Sequence, residues 1–153
     1  MQPCADRETF FLEYMWVVLS SGMKNQVARI IERRIYDAWE RGETTTSTFG
    51  HKGKAAAIDF VRENKGRLFG ECRAAADKTK FLASLPRIGN ITKYHLAKNL
   101  GVDCCKLDRH LARIARSYNT TPDILCKTLS ASTGDEIATV DLVIWRTANL
   151  GLV

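Results

Sequence analysis

The sequence predicts an all-α fold on three observations. Apolar residues recur at helical spacing along the chain, no segment alternates as a strand, and the breaks between stripes carry Gly, Pro and capping residues. At 153 residues the chain has the length of a single domain, residues 1–153, or of two small lobes on a shared core. Phe10, Phe11, Tyr14, Val17 and Val18 stripe a first helix over about 8–20, which Ser21-Gly22 breaks. Val27, Ile30, Ile31, Ile35 and Trp39 stripe a second, ending near Arg41-Gly42. The run 42–53, rich in Thr and Ser, reads as a loop and a lobe boundary. Shorter helices are expected over 54–63, 66–74 and 77–84, then a turn over 85–89. Helical pattern resumes over 91–100, closed by Gly101 as a C-terminal cap, and again over 108–117. Thr121-Pro122 is a capping residue followed by Pro at the first helical position, opening a helix to about Leu129. Thr133 or Gly134 opens a last helix, striped by Ile137, Val140 and Ile144, through about Asn149.

Composition excludes several classes. Hydrophobic residues make up 45% and charged residues 26%, too apolar for a disordered chain. No apolar run reaches the roughly 18 residues a membrane span needs, and Asp6, Glu8 and Glu13 interrupt the beginning where a signal peptide would be apolar. Five cysteines (Cys4, Cys72, Cys104, Cys105, Cys126) without a CxxC are expected to be free thiols in a reducing cytoplasm. His51, His95 and His110 do not join them at metal-ligand spacing, so no metal site is expected. The net charge is +6, and its distribution is informative. Between Lys80 and Arg116 eight basic residues face only Asp103 and Asp108, a surplus equal to that of the whole chain. One basic stretch of this kind points to a polyanion, and nucleic acid is the expected partner.

The centre of that stretch reads Leu85-Pro86-Arg87-Ile88-Gly89-Asn90-Ile91-Thr92. Helix, tight Gly turn and helix over about 81–100 form a helix-hairpin-helix element. Backbone N–H groups at such a turn, together with the next helix dipole, bind a phosphate oxygen. Arg87, Gly89, Asn90, Thr92 and Lys93 are the expected contacts, with Arg109 beside them. Contacts of this kind position a protein on DNA without reading its sequence.

A second string, Leu107-Asp108-Arg109-His110-Leu111-Ala112-Arg113, follows at a suitable distance. Together the two strings resemble those of the helix-hairpin-helix DNA glycosylase superfamily, which includes endonuclease III, the adenine glycosylase acting at oxidised mismatches, and 3-methyladenine glycosylases. The family hairpin reads roughly Leu-Pro-Gly-Ile-Gly-x-x-Thr-Ala, and a later helix opens as Val-Asp-x-His-Val-x-Arg. Leu85, Pro86, Ile88, Gly89 and Thr92 match the first; Leu107, Asp108, His110, Leu111 and Arg113 match the second, opening a helix over 107–117. Leu19-Ser20 is similar to the family's Leu-Ser before its DNA-facing loop. Two positions depart from the pattern. Arg87 replaces the first hairpin Gly, a costly exchange if the backbone there needs a positive φ. Ile91 stands where bifunctional members carry a Schiff-base lysine; Lys93 lies about 200° further round a helix.

The resemblance implies a two-lobed helical fold with the DNA cleft between lobes. It also implies an enzyme that hydrolyses the N-glycosidic bond of a damaged or modified base flipped out of duplex DNA. Asp108 is then the catalytic residue. Breaking that bond builds positive charge on the sugar, which a carboxylate near C1′ stabilises while it orients or deprotonates a water. The same carboxylate would also serve as N-cap of the 108–117 helix, and both roles leave one trace in sequence. The flipped base needs a pocket, for which Tyr14, Trp16, Tyr94, Trp145 and Asp141 are candidates, and the vacated stack needs a wedge, for which Met23 and Gln26 are candidates. For Asp141 an ion pair with Arg146 or another basic neighbour is the competing reading, and His95 and His110 read as structural.

The expectation is therefore a monomeric, monofunctional glycosylase of the cytoplasm or nucleoid, without lyase activity. No cofactor is expected beyond a monovalent cation that the hairpin could hold. The alternative is a DNA-binding module of the same fold that cuts no bond.

Overall fold

A computed structural model describes residues 4–152. Among them are nine helices and no strand, as the apolar periodicity predicts. Helix α1 (Arg7–Ser20) starts at Asp6, whose Oδ1 accepts the N–H groups of Glu8 and Thr9, each at 2.9 Å. It buries Phe10, Phe11, Tyr14, Met15, Val17, Val18 and Leu19, so apolar residues cover it nearly all round and it runs through the core. Gly22, at φ +75°, ends the α1 segment in a conformation that favours glycine.

Helix α2 (Asn25–Glu40) packs on α1 with Ala28, Ile35 and Ala38. Val27 and Ile30, expected on its buried stripe, are exposed. Ala28, Ile35 and Ala38 form the buried face instead, with Ile31, Tyr36 and Trp39 partly buried beside it. The expected loop over 42–53 contains a single helical turn, α3 (Thr45–Thr48). A distant carboxylate holds it: Asp59 accepts from the N–H groups of Thr45 at 2.8 Å and Thr46 at 3.0 Å.

The two helices expected over 54–63 and 66–74 are one, α4 (Lys52–Ala74). Gly66 costs an exposed helix interior about 1 kcal/mol. Buried Ile58, Val61, Leu68 and Cys72 on one side of α4 outweigh that cost, tying both halves to α1. Helices α5 (Lys78–Ala83) and α6 (Thr92–Asn99) flank the turn, and Gly101, at φ +78°, closes α6 as expected.

Helix α7 (Arg109–Ser117) is followed by α8 (Pro122–Thr133) and α9 (Ile137–Asn149). Gly134, at φ +80°, caps the end of α8; it does not open α9. Across the intervening turn, Asp103 Oδ1 accepts the Ala138 N–H at 3.0 Å, tying the start of α9 to the chain after α6.

The buried residues form two clusters. One is built from α1 to α6 and extends to Leu100, with Val102 and Cys104 packed at its edge. The other is small: Cys105, Leu111, Cys126 and Val140. The chain passes from one to the other between Cys104 and Cys105. No helix among the described residues is long and apolar enough to cross a membrane.

Candidate nucleic-acid interface

The turn between α5 and α6 is anchored from below. The Tyr14 hydroxyl donates to the Pro86 carbonyl at 2.8 Å, and Leu85 and Ile88 are buried. Burial raises the Tyr14 pKa well above that of an ordinary tyrosine, so the proton for this bond stays in place. Tyr14 is fully buried, which removes it from the candidates for stacking on a base.

Arg87 adopts φ +63°, the left-handed conformation that favours glycine. Its guanidinium folds back over the start of α4, with Nη2 3.4 Å from His51 Nε2. A Cβ on Gly53 would lie 2.8 Å from that nitrogen, so Gly53 gives the arginine room to lie on the helix. Lys54, one residue on, donates from Nζ to the carbonyls of Leu19 at 3.1 Å and Ser21 at 2.6 Å, satisfying the end of α1. Burial, and then Arg87, lower the Lys54 pKa.

At the hairpin the Gly89 N–H is taken by the Thr92 hydroxyl at 2.7 Å, and the Lys93 N–H by the Gly89 carbonyl at 3.0 Å. Thr92 therefore shapes the turn from within, which corrects the expectation of a side chain reaching out to phosphate. The N–H groups of Asn90 and Ile91 take no part in these bonds, and both residues are exposed. Both residues lie just before the amino end of α6. Lys93 lies 5.0 Å from the centre of the Tyr94 ring, and Arg109 is exposed.

Asp108 is the N-cap of α7. Its Oδ1 accepts from His110 and Leu111, each at 2.9 Å, so the cap consumes one carboxylate oxygen of two. The residue borders a cleft of about 290 Å³ shared with His95, Lys98, Asn99, Lys106, Asp141, Leu142 and Trp145. Asp141 is buried, 3% exposed; its Oδ2 meets Lys98 Nζ at 3.1 Å and the Lys106 N–H at 2.9 Å. Its partner is thus a lysine of α6, not Arg146. The pair pins the strand of chain leading to Asp108 between α6 and α9. Trp145, 40% exposed, forms one wall.

A second chamber of about 430 Å³ lies between the α1–α2 turn and the hairpin, lined by Val17, Ser20, Ser21, Asn25, Ile91, Thr92, His95 and Lys106. His95 and Lys106 line both chambers. Burial first, then the ammonium groups of Lys106 and Lys98, hold the His95 imidazole below its ordinary pKa, so it is neutral at pH 7.

Other candidates lie elsewhere. Trp16 faces a different groove, with the Arg29 guanidinium 3.8 Å from its ring centre. That contact covers one face of the indole. Met23 packs against the larger core, while Gln26 is exposed in the first turn of α2. Gln26 alone of the two wedge candidates is free of the core. Sequence reasoning gave Lys106 no individual role and took His95 as structural; the signal for Lys106 was its place two residues before Asp108 in the basic stretch. Among the described residues no group of three or more His, Cys, Asp or Glu could hold a metal ion.

Comparison with protein-family models, with characterised proteins and with solved structures returns no match.

Proposed function

We propose that the chain is a monofunctional DNA glycosylase acting on duplex DNA that carries a damaged or modified base. The observation that carries this reading is the placement of Asp108. It sits at a helix start with one oxygen unused by the cap, on a cleft bordered by the hairpin helix α6. The hairpin N–H groups and basic side chains hold the phosphate backbone, which brings the flipped nucleotide to the cleft. As the bond to the base lengthens, positive charge grows on the sugar, and Asp108 opposes it. The same carboxylate takes a proton from the water that adds to C1′. The product is an intact abasic site, since Ile91 supplies no amine. The working form is a monomer of the cytoplasm or nucleoid.

A DNA-binding module without catalysis is the competing reading, favoured by the two cap bonds that already account for Asp108. Asp108→Asn separates them. Asparagine caps helices as well as aspartate does, so folding and DNA affinity should persist. Abasic-site formation should fall by roughly two to three orders of magnitude with loss of the opposing charge. Excision by the Asn variant at the parent rate would reduce Asp108 to a cap.

A further inference from the structure

We propose that the base expelled from this cleft leaves as an anion received by the Lys106 ammonium, so that the substrates are neutral modified bases, not cationic N-alkylated purines. The inference rests on the glycosylase reading above and specifies its substrate class.

Geometry is the first argument. Two open clefts adjoin at α6, and His95 and Lys106 are the residues that line both. Whichever chamber takes the base, Lys106 borders it, and Lys106 is only two residues from Asp108. The second argument is charge. Asp141 is occupied by the Lys98 ammonium and by the Lys106 main-chain N–H, and not by the Lys106 ammonium. Lys98 and Asp141 cancel as a pair. Asp108 is required at the sugar. His95 is neutral, so its ring adds a hydrogen-bonding edge and no charge. Of the charged residues that line the two clefts, Lys106 is the cation left to face the base.

A purine alkylated at N3 or N7 already carries positive charge. It leaves as a neutral molecule and needs no help, and a pocket that presents an ammonium repels it. A neutral base is the opposite case. When its glycosidic bond breaks, the electron pair goes to the ring nitrogen and the base becomes an anion. An ammonium beside it, in a cleft partly screened from water, stabilises that charge as it forms. Water adds to C1′ and gives one proton to Asp108; the base anion takes one proton from solvent water on release, and Asp108 returns its proton to solvent, so the net reaction adds one water across the bond. Atoms and charge balance without a further reactant.

The experiment uses the full chain and a panel of duplexes, each with one uracil, 5-fluorouracil, 5-hydroxymethyluracil, hypoxanthine, 8-oxoguanine or 7-methylguanine, scored for abasic sites. Release of at least one neutral base, with 7-methylguanine left intact, is expected. Lys106→Gln should slow that release 100-fold or more, with partial recovery in Lys106→Arg. Where both uracil and 5-fluorouracil are released, the loss should be smaller for 5-fluorouracil, whose anion is more stable; a folding defect would slow both equally. Thermal unfolding of both variants checks that the fold is kept, since residue 106 bonds Asp141 through its main-chain N–H, which a side-chain exchange leaves in place. Release of 7-methylguanine, or Lys106→Gln acting at the parent rate, would overturn the inference while leaving the glycosylase reading in place. Abasic sites from no duplex would overturn both.

Discussion

Tyr14 and Pro86 stand 72 residues apart in sequence and share a hydrogen bond of 2.8 Å, the hydroxyl of the central helix holding a carbonyl of the turn between α5 and α6. The bond fixes the height of the turn above the core. Tyr14→Phe removes the donor and leaves the carbonyl without its partner, at a cost of about 1–2 kcal/mol. The melting temperature should fall by roughly 2–8 °C for a chain of this size. Calorimetry checks this, and an unchanged melting temperature would mean that solvent replaces the tyrosine at no cost.

Arg87 combines a strained backbone with a charged side chain, and substitutions separate the two. Arg87→Gly relieves the left-handed conformation and should stabilise the fold by about 1 kcal/mol. Arg87→Ala keeps the strain and should gain nothing. Both lose the guanidinium, so both should weaken binding to any duplex alike and flatten its salt dependence by about one unit. Equal melting temperatures for the two variants would show that the turn tolerates a side chain at no cost.

His95 makes stability depend on pH in a defined direction. Its imidazole is held below the ordinary value by burial and by the cations Lys106 and Lys98, although Asp108 and Asp141 border the same cleft. On acidification the unfolded chain therefore takes up this proton before the folded chain does. Stability from this group is complete above about pH 6.5 and declines as pH falls below it. Melting curves between pH 7.5 and pH 5 should show a shallower acid loss for His95→Gln than for the parent. Identical slopes would exclude the imidazole as the cause.

The assignment of mechanism class has its own test. Under the proposed function Ile91 supplies no amine, so incubation with a cleavable duplex and borohydride should yield no covalent protein–DNA adduct. Strands should break only after alkali. A nucleophilic amine must be uncharged, whereas Lys98 is tied to a carboxylate. An adduct that disappears in Lys93→Ala or Lys106→Ala would make the chain a glycosylase with lyase activity.

Several helix ends were legible in the sequence because their cause is local. Asp108, Thr121-Pro122 and Gly101 mark helix ends because the bonds they make span only a few residues. The α3 turn has a local cap in Thr44, whose hydroxyl accepts the Ser47 N–H, but the carboxylate that holds its first two N–H groups comes from Asp59, more than ten residues later. Gly66 was misleading alone, yet Ile58, Val61, Leu68 and Cys72 continue one helical face straight across it. Lys98 counted toward the basic stretch, and only the folded chain brings Asp141 against it from 43 residues away. The hairpin was visible as a string; the sharing of Lys106 between two chambers depends on how α1, α6 and α9 converge.

The unequal size of the two buried clusters divides labour in time as well as in space. The hairpin belongs to the large cluster, while Asp108 caps a helix whose main packing partners are α8 and α9. A unit with so few buried side chains opens more often than the body it adjoins, through sub-global fluctuation and not full unfolding. Amide hydrogens of α7 to α9 should exchange well before those of α1 and α4. Under the proposed function, warming should then give a population that still holds duplex through the turn between α5 and α6 but has let its carboxylate swing away, so that affinity for duplex outlasts turnover.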